Sequence, residues 1–258
     1  MFSKAVVRHP AQNLGQGLTG ADLGCPDMEL AFAQHRTYVD CLKQAGIKVT
    51  ALDAVEEYPD SVFVEDTAVM IPFDGGTAAF LTCPGADSRR GEVDVIQSAL
   101  SIEVDEIIRM EGEGLMEGGD VLLMGKIFYV GIDTRTNMAG YEQFSKAVGR
   151  FGYKSIPVPY NDGMPHLKTE LSALDEETLI MSCRFKEHKA FSKFEKLITP
   201  EDEEYCANCL YLGRKLLVPA GFPATAELLD KKGFTPDYIN MSEFQKMDGG
   251  LTCLSLRW

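Results

Sequence analysis

Hydrophobic and polar positions along this chain repeat in a fixed order: two apolar runs joined by a turn, a helical stretch, and a third apolar run. The first complete example has runs at 62–71 and 77–83 around the turn Asp74-Gly75-Gly76, which predicts a β-hairpin. A helix is predicted from the N-cap Ser88 to Leu100, and a short strand near Ile107 follows. Residues 62 to about 109 therefore form one predicted ββαβ unit.

The same order recurs three more times toward the C-terminus. The second unit has a hairpin over 120–132, a helix from about Asn137 and a strand over 154–159; the third has runs at 169–174 and 178–183, a helix near 187–194 and a strand over 196–199; the fourth has runs at 208–212 and 215–220, a helix over 224–232 and a strand over 237–241. Regularity of this kind predicts repeated units that cannot bury their apolar faces alone.

The two ends of the chain supply a fifth unit. A final strand is predicted over Thr252–Arg257, and the first strand over 4–9 leads into a helix over 28–45 that Gly46 stops, before a strand over 47–52. Joining both ends in one unit makes five units that close into a ring. A doubly wound parallel sheet fits less well, because each helix follows a hairpin; a generic α+β domain with accidental regularity is the remaining alternative.

Composition is that of an ordinary globular protein, with 258 residues, 45% hydrophobic and 25% charged, which is sufficient for a sizeable core. No apolar run approaches the ~20 residues of a membrane span, and the N-terminus lacks the apolar stretch of a signal peptide. Seven cysteines at irregular spacings indicate reduced thiols. We therefore predict a cytoplasmic protein with one domain, residues 1–258.

The net charge is −14, and no lysine or arginine cluster stands out. Binding to nucleic acid or to an anionic membrane is therefore disfavoured, whereas a small cationic substrate fits. The pair Cys206 and Cys209 has C-x-x-C spacing without a second ligand pair, and because zinc needs four ligands these thiols are interpreted as structural.

Chemically active side chains open several of the units, and in a closed ring equivalent ends of the units converge. They are Asp60, Glu65 and Asp66 in the first unit, Glu117 and Asp120 in the second, His166 and Lys168 in the third, and Cys253 in the fifth. A thiol beside an imidazole is an activated nucleophile, and Glu117 is the natural carboxylate to orient the imidazole.

The remaining carboxylates suit a guanidinium, whose fork of donors carboxylates match. Arg89 and Arg135 are then candidates for a carboxylate at the other end of the substrate. Asp60, Glu65 and Asp66 could instead be a turn with solvated charges. However, Glu65 and Asp66 interrupt an apolar run on both faces, which is costly unless they are paired or line a cleft.

Seven segments carry a family resemblance. They are PDSVFVEDTAV, PGADSRRGEV, EGGDVLLMG, YVGIDTRTNMAG, HLKT, ANCLYL and GGLTCLSLRW. In this order, over nearly the whole chain, they resemble the dimethylarginine dimethylaminohydrolases, most closely the compact bacterial form, within the guanidino-group-modifying superfamily of arginine deiminases and amidinotransferases. The resemblance implies an α/β fold, a five-bladed pseudo-symmetric α/β propeller (pentein) of ββαβ units whose last blade is closed by both termini.

The resemblance also implies roles for individual residues. Cys253 corresponds to the nucleophile, His166 to the general acid and base, and Glu117 to the residue that orients His166. The substrate-binding set comprises Asp60 and Asp66 on the guanidinium with Glu65 beside them, Arg89 and Arg135 on the α-carboxylate, and the backbone carbonyls of Leu18 and Met247 on the α-amino group.

The implied reaction converts dimethylarginine and water to citrulline and dimethylamine through an S-alkylthiouronium on Cys253, with neither a metal nor an organic cofactor. An arginine deiminase or dihydrolase, or a citrulline hydrolase, on the same scaffold stays open as an alternative, and so does a non-catalytic binder of cationic amino acids. The sequence also leaves open whether the chain forms a homodimer.

Overall fold

Short strands and helices alternate along the chain in the computed structural model, which describes residues 2–160, 163 and 165–258. The strands are β1 (Lys4–Arg8), β2 (Lys48–Leu52), β3 (Ala68–Phe73), β4 (Gly76–Leu81), β5 (Glu106–Arg109), β6 (Val121–Met124), β7 (Ile127–Ile132), β8 (Lys154–Pro159), β9 (Leu171–Ala173), β10 (Thr178–Met181), β11 (Glu195–Ile198), β12 (Leu210–Tyr211), β13 (Leu216–Pro219), β14 (Asp237–Ile239) and β15 (Leu256–Arg257). The helices are α1 (Met28–Gln44), α2 (Glu92–Leu100), α3 (Met138–Gly149), α4 (Leu167–Glu170), α5 (Pro223–Lys231) and α6 (Ser242–Gln245).

Within the described residues, the strands group into five three-stranded sheets with one shared plan. Their orders are β15-β1-β2, β3-β4-β5, β6-β7-β8, β9-β10-β11 and β12-β13-β14. In every sheet the central strand pairs antiparallel with one neighbour and parallel with the other. A hairpin followed by a crossover to a parallel strand gives this pattern, so the five sheets match the five predicted units.

The two ends of the chain share one sheet. Strand β15 pairs antiparallel with β1, with Ala5 opposite Arg257 and Val6 opposite Leu256, and β1 pairs in parallel with β2. The predicted joining of the N- and C-terminal segments in one unit is therefore present.

Four of the five crossovers contain a helix of nine or more residues, and two of these helices begin at predicted or recognisable caps. The side chain of Asn137 accepts the Gly140 N–H at the start of α3, and that of Asp27 accepts the Leu30 N–H at the start of α1. The predicted N-cap Ser88 is wrong: α2 begins at Glu92 after Gly91, because residues 87–89 form a 3₁₀ turn that carries Arg89 into the interior.

The helix predicted over 187–194 is also wrong. The crossover between β10 and β11 instead has two 3₁₀ turns, Cys183–Phe185 and Lys189–Phe191. Phe185 and Phe191 are both buried and lie in ring contact, with centroids 6.2 Å apart. Six residues along an α-helix correspond to more than one and a half turns, so an α-helix would point these two rings to different sides.

Two predicted strands are shorter than the apolar pattern indicates. Residues 62–67 form 3₁₀ turns rather than the start of β3, and the last strand is only Leu256–Arg257, with residues 251–254 in a turn. In both places a side chain distant in sequence bonds to the backbone: Arg89 Nη2 lies 3.2 Å from the Phe63 carbonyl oxygen, and the Thr252 N–H donates to Asn208 Oδ1 at 3.0 Å.

The hydrophobic core lies in clusters between neighbouring sheets and the helices that cover them. In one cluster Phe144 of α3 packs edge-on against Phe80 of β4 and Phe128 of β7, each at 5.2 Å between centroids, the geometry that aromatic pairs favour. None of the helices in the described part of the chain has the length and apolar character needed to cross a bilayer.

Candidate active site

Eight of the ten predicted site residues line a single cleft of about 570 Å³. They are Leu18, Asp60, Asp66, Arg89, Arg135, His166, Met247 and Cys253. The two others are Glu117, which lies behind His166 with no exposed surface, and Glu65, which faces elsewhere. These residues come from loops that open units and from loops that precede α1, α2 and α3, so the structure brings together positions that are up to 235 residues apart in sequence.

His166 is held by Glu117. Its Nε2 lies 2.5 Å from Glu117 Oε2 and 3.6 Å from Asp66 Oδ1. Burial alone would lower the pKa of this imidazole, but the charge of Asp66 and the hydrogen bond and charge of Glu117 outweigh burial and raise it to about 9. His166 is therefore an imidazolium at neutral pH, and the same contact keeps the pKa of Glu117 below its usual range despite burial.

The pair Gly118-Gly119 allows His166 to lie this close to Glu117 and Asp66. A Cβ on Gly119 would lie 2.6 Å from Cγ of His166, and a Cβ on Gly118 would lie 2.0 Å from the carbonyl oxygen of Glu65. Any side chain at either position would push the histidine or the 3₁₀ turn away. The double glycine after Glu117 is therefore required by close packing.

Asp120 fixes the backbone that carries His166. The side chain is fully buried and accepts the Leu167 N–H at 2.9 Å, the Thr136 hydroxyl at 2.5 Å and the Tyr160 hydroxyl at 2.8 Å. Because Leu167 follows His166 at the start of α4, these bonds set where the imidazole leaves the main chain. The sequence indicated Asp120 at a unit opening but gave it no role.

Cys253 lies in the turn that precedes β15, with 8% of its surface exposed. Its N–H donates to the Gly250 carbonyl at 3.2 Å, and its own carbonyl accepts the Glu65 N–H at 3.1 Å. Burial, and then the charges of Glu65 and Asp66, raise the pKa of this thiol to about 12. At neutral pH the sulfur is therefore a neutral thiol.

Two carboxylates face the cleft near the thiol and the imidazole. Both oxygens of Asp60 accept the Leu18 N–H at 3.1 Å, and burial raises the pKa of this carboxyl above its ordinary value. Asp66 accepts the Gly119 N–H at 3.0 Å through Oδ1 and is bound by Arg89 through Oδ2 at 2.7 Å. Negative charge is thus concentrated where a cationic group would meet Cys253.

Arg89 lies under these carboxylates and is only 5% exposed. Its Nε and Nη2 contact both oxygens of Glu92 at 3.0 and 2.9 Å, and its Nη1 contacts Asp66. Nη2 also reaches the carbonyl oxygens of Asp60 and Phe63, at 3.4 and 3.2 Å. Most of its N–H donors are therefore already bonded to protein groups. This arrangement positions Asp60 and Asp66, and it leaves little of the guanidinium free to bind a substrate carboxylate.

Sequence reasoning did not identify Glu92. The available signal was its place three residues after Arg89, the spacing at which side chains on a helical turn meet.

Arg135 is the more accessible of the two predicted arginines, with 27% of its side chain exposed. Its Nη1 contacts Glu117 Oε1 at 3.2 Å and Oε2 at 3.3 Å. Among the described residues, Nε and Nη2 have no hydrogen-bond partner, which leaves that edge of the fork available in the cleft.

Glu65 points away from the cleft, although it is adjacent to Asp66. Successive side chains on a 3₁₀ turn are about 120° apart, so Asp66 enters the cleft while Glu65 enters a second cavity of about 290 Å³. There Glu65 contacts Lys168 Nζ at 2.6 Å, Arg257 Nη2 at 2.9 Å and the Thr252 hydroxyl at 2.8 Å. Its predicted place beside the substrate guanidinium does not fit these contacts.

Asp248 is a cleft residue that the sequence gave no reason to select. It has a positive φ of 55°, and its Oδ2 accepts the Gly20 N–H at 2.5 Å and lies 3.3 Å from the Thr19 hydroxyl. The carboxylate thereby ties the loop of Leu18 to the loop of Met247. The structure places both of those residues on the cleft wall, as predicted.

One cluster has the donor types of a metal site: ligand atoms of Asp66, Glu117 and His166 lie within 4.8 Å of one another. All three side chains already have charged protein partners, since Arg89 binds Asp66 and Arg135 binds Glu117. The cluster is thus arranged to hold a proton on His166.

Comparison with known proteins gives a consistent relationship. The profile of the family described as "N,N dimethylarginine dimethylhydrolase, eukaryotic" matches residues 27–183. The N(G),N(G)-dimethylarginine dimethylaminohydrolase of Pseudomonas aeruginosa is 35% identical over 259 aligned residues, covering 100% of both chains. The protein of the same name from Streptomyces coelicolor is 36% identical, covering 98% of this chain and 96% of its own.

A solved structure of the Pseudomonas aeruginosa protein, a cysteine-to-serine mutant complexed with citrulline, matches with a TM-score of 0.95 over the full length of both chains. Full-length identity above 30% together with this structural match establishes the relationship. The chain therefore belongs to the dimethylarginine dimethylaminohydrolase family.

Proposed function

We propose that this protein hydrolyses dimethylarginine to citrulline and dimethylamine by covalent catalysis at Cys253. One observation carries the proposal: a buried thiol, a protonated His166 and the carboxylates of Asp60 and Asp66 line the same cleft. A guanidinium is the group that this combination suits, because it brings positive charge to the carboxylates and an electrophilic carbon to the thiol. The names of the relatives and the citrulline in the matching structure support the same reaction.

The overall architecture that supports this site is inferred to be a five-bladed propeller formed by one domain over residues 1–258. Five sheets of one plan and the pairing of β15 with β1 support a closed ring. Loops at equivalent ends of the units line the cleft, which is the arrangement such a ring requires.

Substrate binding is assigned to charges at both ends of the cleft. Asp60 and Asp66 hold the guanidinium, Arg135 holds the α-carboxylate through its free edge, and the carbonyls of Leu18 and Met247 receive the α-amino group. Arg89 supports the two aspartates from below, through its contact with Asp66 and with the Asp60 carbonyl.

The charge of the substrate activates the nucleophile. In the empty cleft the thiol of Cys253 is neutral, because burial and the nearby carboxylates raise its pKa. A bound guanidinium offsets those carboxylates and lowers the pKa, so the thiol releases its proton to solvent as the substrate binds. The enzyme thereby avoids a reactive thiolate when no substrate is present.

The thiolate then attacks the guanidinium carbon and forms a C–S bond. The imidazolium of His166 donates its proton to the dimethylated nitrogen, the C–N bond breaks, and dimethylamine leaves. A planar S-alkylthiouronium remains on Cys253, and His166 is now neutral. The raised pKa of His166 suits this order of events, because the acid must be protonated before the leaving group departs.

Hydrolysis of the intermediate reverses these roles. Neutral His166 takes a proton from water as the oxygen bonds to the carbon, the C–S bond breaks, and Cys253 leaves as thiolate. The resulting protonated urea passes its proton to solvent and is released as citrulline. Glu117 keeps the imidazole in place in both steps.

The test is citrulline formation from dimethylarginine, monomethylarginine and arginine, and consumption of citrulline, with Cys253→Ser alongside. We expect the methylated arginines to be converted with the highest kcat/KM and folded Cys253→Ser to show no turnover, because a hydroxyl lacks the nucleophilicity of a thiolate. Faster conversion of arginine would reassign the substrate, and turnover by Cys253→Ser would contradict covalent catalysis.

A further inference from the structure

The turn that carries Cys253 is held from behind by Arg257. Nη1 of Arg257 lies 2.9 Å from the Thr252 carbonyl and 2.8 Å from the Ser255 carbonyl, and 2.7 Å from the Ser255 hydroxyl. These carbonyls lie on either side of Cys253. One guanidinium nitrogen therefore contacts both ends of the turn that presents the sulfur.

The same guanidinium also contacts the carboxylate nearest to that turn. Nη2 of Arg257 lies 2.9 Å from Glu65 Oε1, while Glu65 accepts the Thr252 hydroxyl and donates its N–H to the Cys253 carbonyl. Glu65, which sequence reasoning placed on the substrate, is thus bonded to the nucleophile's turn at two points. Both side chains are nine-tenths or more buried, so their charges are weakly screened.

We propose that Arg257 is a positioning residue for Cys253, which fixes the turn through the Thr252 and Ser255 carbonyls and offsets part of the charge of Glu65, so that Glu65 opposes formation of the thiolate less than it would alone. The inference rests on the proposed function of Cys253 as nucleophile. It gives Arg257 two separable tasks, one of geometry and one of charge. A lysine could perform the second but not the first, because an ammonium lacks the planar fork.

Other titratable and charged groups face the thiol. Glu65, Asp66 and Lys168 act directly on its charge, and Tyr205 in the turn before β12 is electrostatically coupled to it. The same cleft is also lined by Asp60, Arg89, Arg135, His166 and Asp248. Lys168 lies 2.6 Å from Glu65 and shares its neutralisation. Loss of Arg257 therefore unmasks part, and not all, of the Glu65 charge.

The test measures the thiol directly. The rate of alkylation of Cys253 by iodoacetamide is followed against pH by mass spectrometry of the Cys253 peptide, since Cys25 and Cys183 are also exposed. In Arg257→Gln we expect alkylation at any pH between about 7 and 9 to be roughly tenfold slower than in the wild type, which corresponds to a rise of about one unit in the pKa of the thiol. In Arg257→Lys we expect the wild-type alkylation rate, an unchanged KM and a reduced kcat.

The double variant Glu65→Gln/Arg257→Gln isolates the charge. Removing both partners of a buried pair avoids an uncompensated charge, so we expect its alkylation rate at the same pH to return to the wild-type value or to exceed it. Arg8→Gln is the matched control, since Arg8 is a buried arginine of neighbouring β1 that holds the Asp53 carbonyl at 2.8 Å. Its loss should lower the melting temperature without changing the alkylation rate of Cys253.

A wild-type alkylation rate in folded Arg257→Gln, or a rate in the double variant as low as in the single one, would overturn the charge assignment. Wild-type kcat in Arg257→Lys would overturn the geometric assignment, whether or not Arg257→Gln folds. Alkylation requires no substrate. Failure to hydrolyse dimethylarginine would therefore count against the proposed function, and the alkylation rates would still decide the charge task of Arg257.

Discussion

Glu117→Gln should convert His166 from an acid that stays mostly protonated up to about pH 8 into one that titrates near neutral pH. The contact of 2.5 Å and the charge of Glu117 are two of the causes that raise the pKa of His166 to about 9, the other large one being the charge of Asp66. Glutamine preserves the shape and can still accept a hydrogen bond, but it removes the charge. Because Asp66 and Asp120 are still in place, we expect the pKa of His166 to fall to about 7, which is still above its ordinary value of about 6.5.

The size of the effect follows from the protonated fraction. At pH 8 a group with a pKa of about 9 is about 90% protonated, and one with a pKa of about 7 is about 10% protonated. The variant should therefore lose about tenfold in kcat at pH 8 relative to pH 6, where both imidazoles are mostly charged. The sign is fixed: a raised pKa keeps the acid available as pH rises, so the loss must grow with pH.

The measurement is kcat for citrulline formation between pH 6 and pH 8.5, expressed as the quotient of variant over wild type. The quotient cancels the titration of Cys253, which both proteins share. Asp248→Asn is a matched control, because Asp248 is a carboxylate of the same cleft that binds Gly20 and Thr19 instead of His166, and its quotient should be flat. A flat quotient for Glu117→Gln would refute the role of Glu117 in setting the protonation of His166.

Three further results are expected. His166→Gly should lose at least the roughly 10²–10⁴-fold of general acid–base catalysis with dimethylarginine, but far less in the first step with a substrate whose thiol leaving group needs no proton; equal losses would contradict the acid role. Arg135→Ala should lose roughly ten- to a hundredfold of the preference in kcat/KM for dimethylarginine over its decarboxylated analogue, a ratio that cancels any general loss from the Glu117 contact, and an unchanged ratio would remove Arg135 as the carboxylate anchor. Turnover should survive a chelator, because Asp66 and Glu117 are bound by arginines, and loss of activity restored by added metal would show the opposite.

The sequence by itself determined the repeat and the residue types at the unit openings. Alternation, turn residues such as Gly125-Lys126 and the cap Asn137 act over a few neighbouring positions, so local pattern was sufficient to predict four of the five crossover helices and the hairpins of four units. The joining of both termini followed from counting unpaired strands at the two ends. The resemblance of seven segments then assigned a role to each residue, and eight of the ten lie on one cleft.

Only the tertiary structure decided the direction of each charged side chain. Glu65 and Asp66 are adjacent in sequence, yet one meets Arg257 across 192 residues and the other meets Arg89 across 23. The donors of Arg89 are bonded to Glu92 and Asp66. The turn at Cys253 takes the place of four residues of a predicted strand. In the third unit, two 3₁₀ turns with buried phenylalanines take the place of the predicted helix. Buried contacts such as Asp66 with Arg89 and Glu65 with the Cys253 turn outweigh a local preference of about 1 kcal/mol or less in a low-dielectric interior, and the sequence pattern carries no information about which partners meet there.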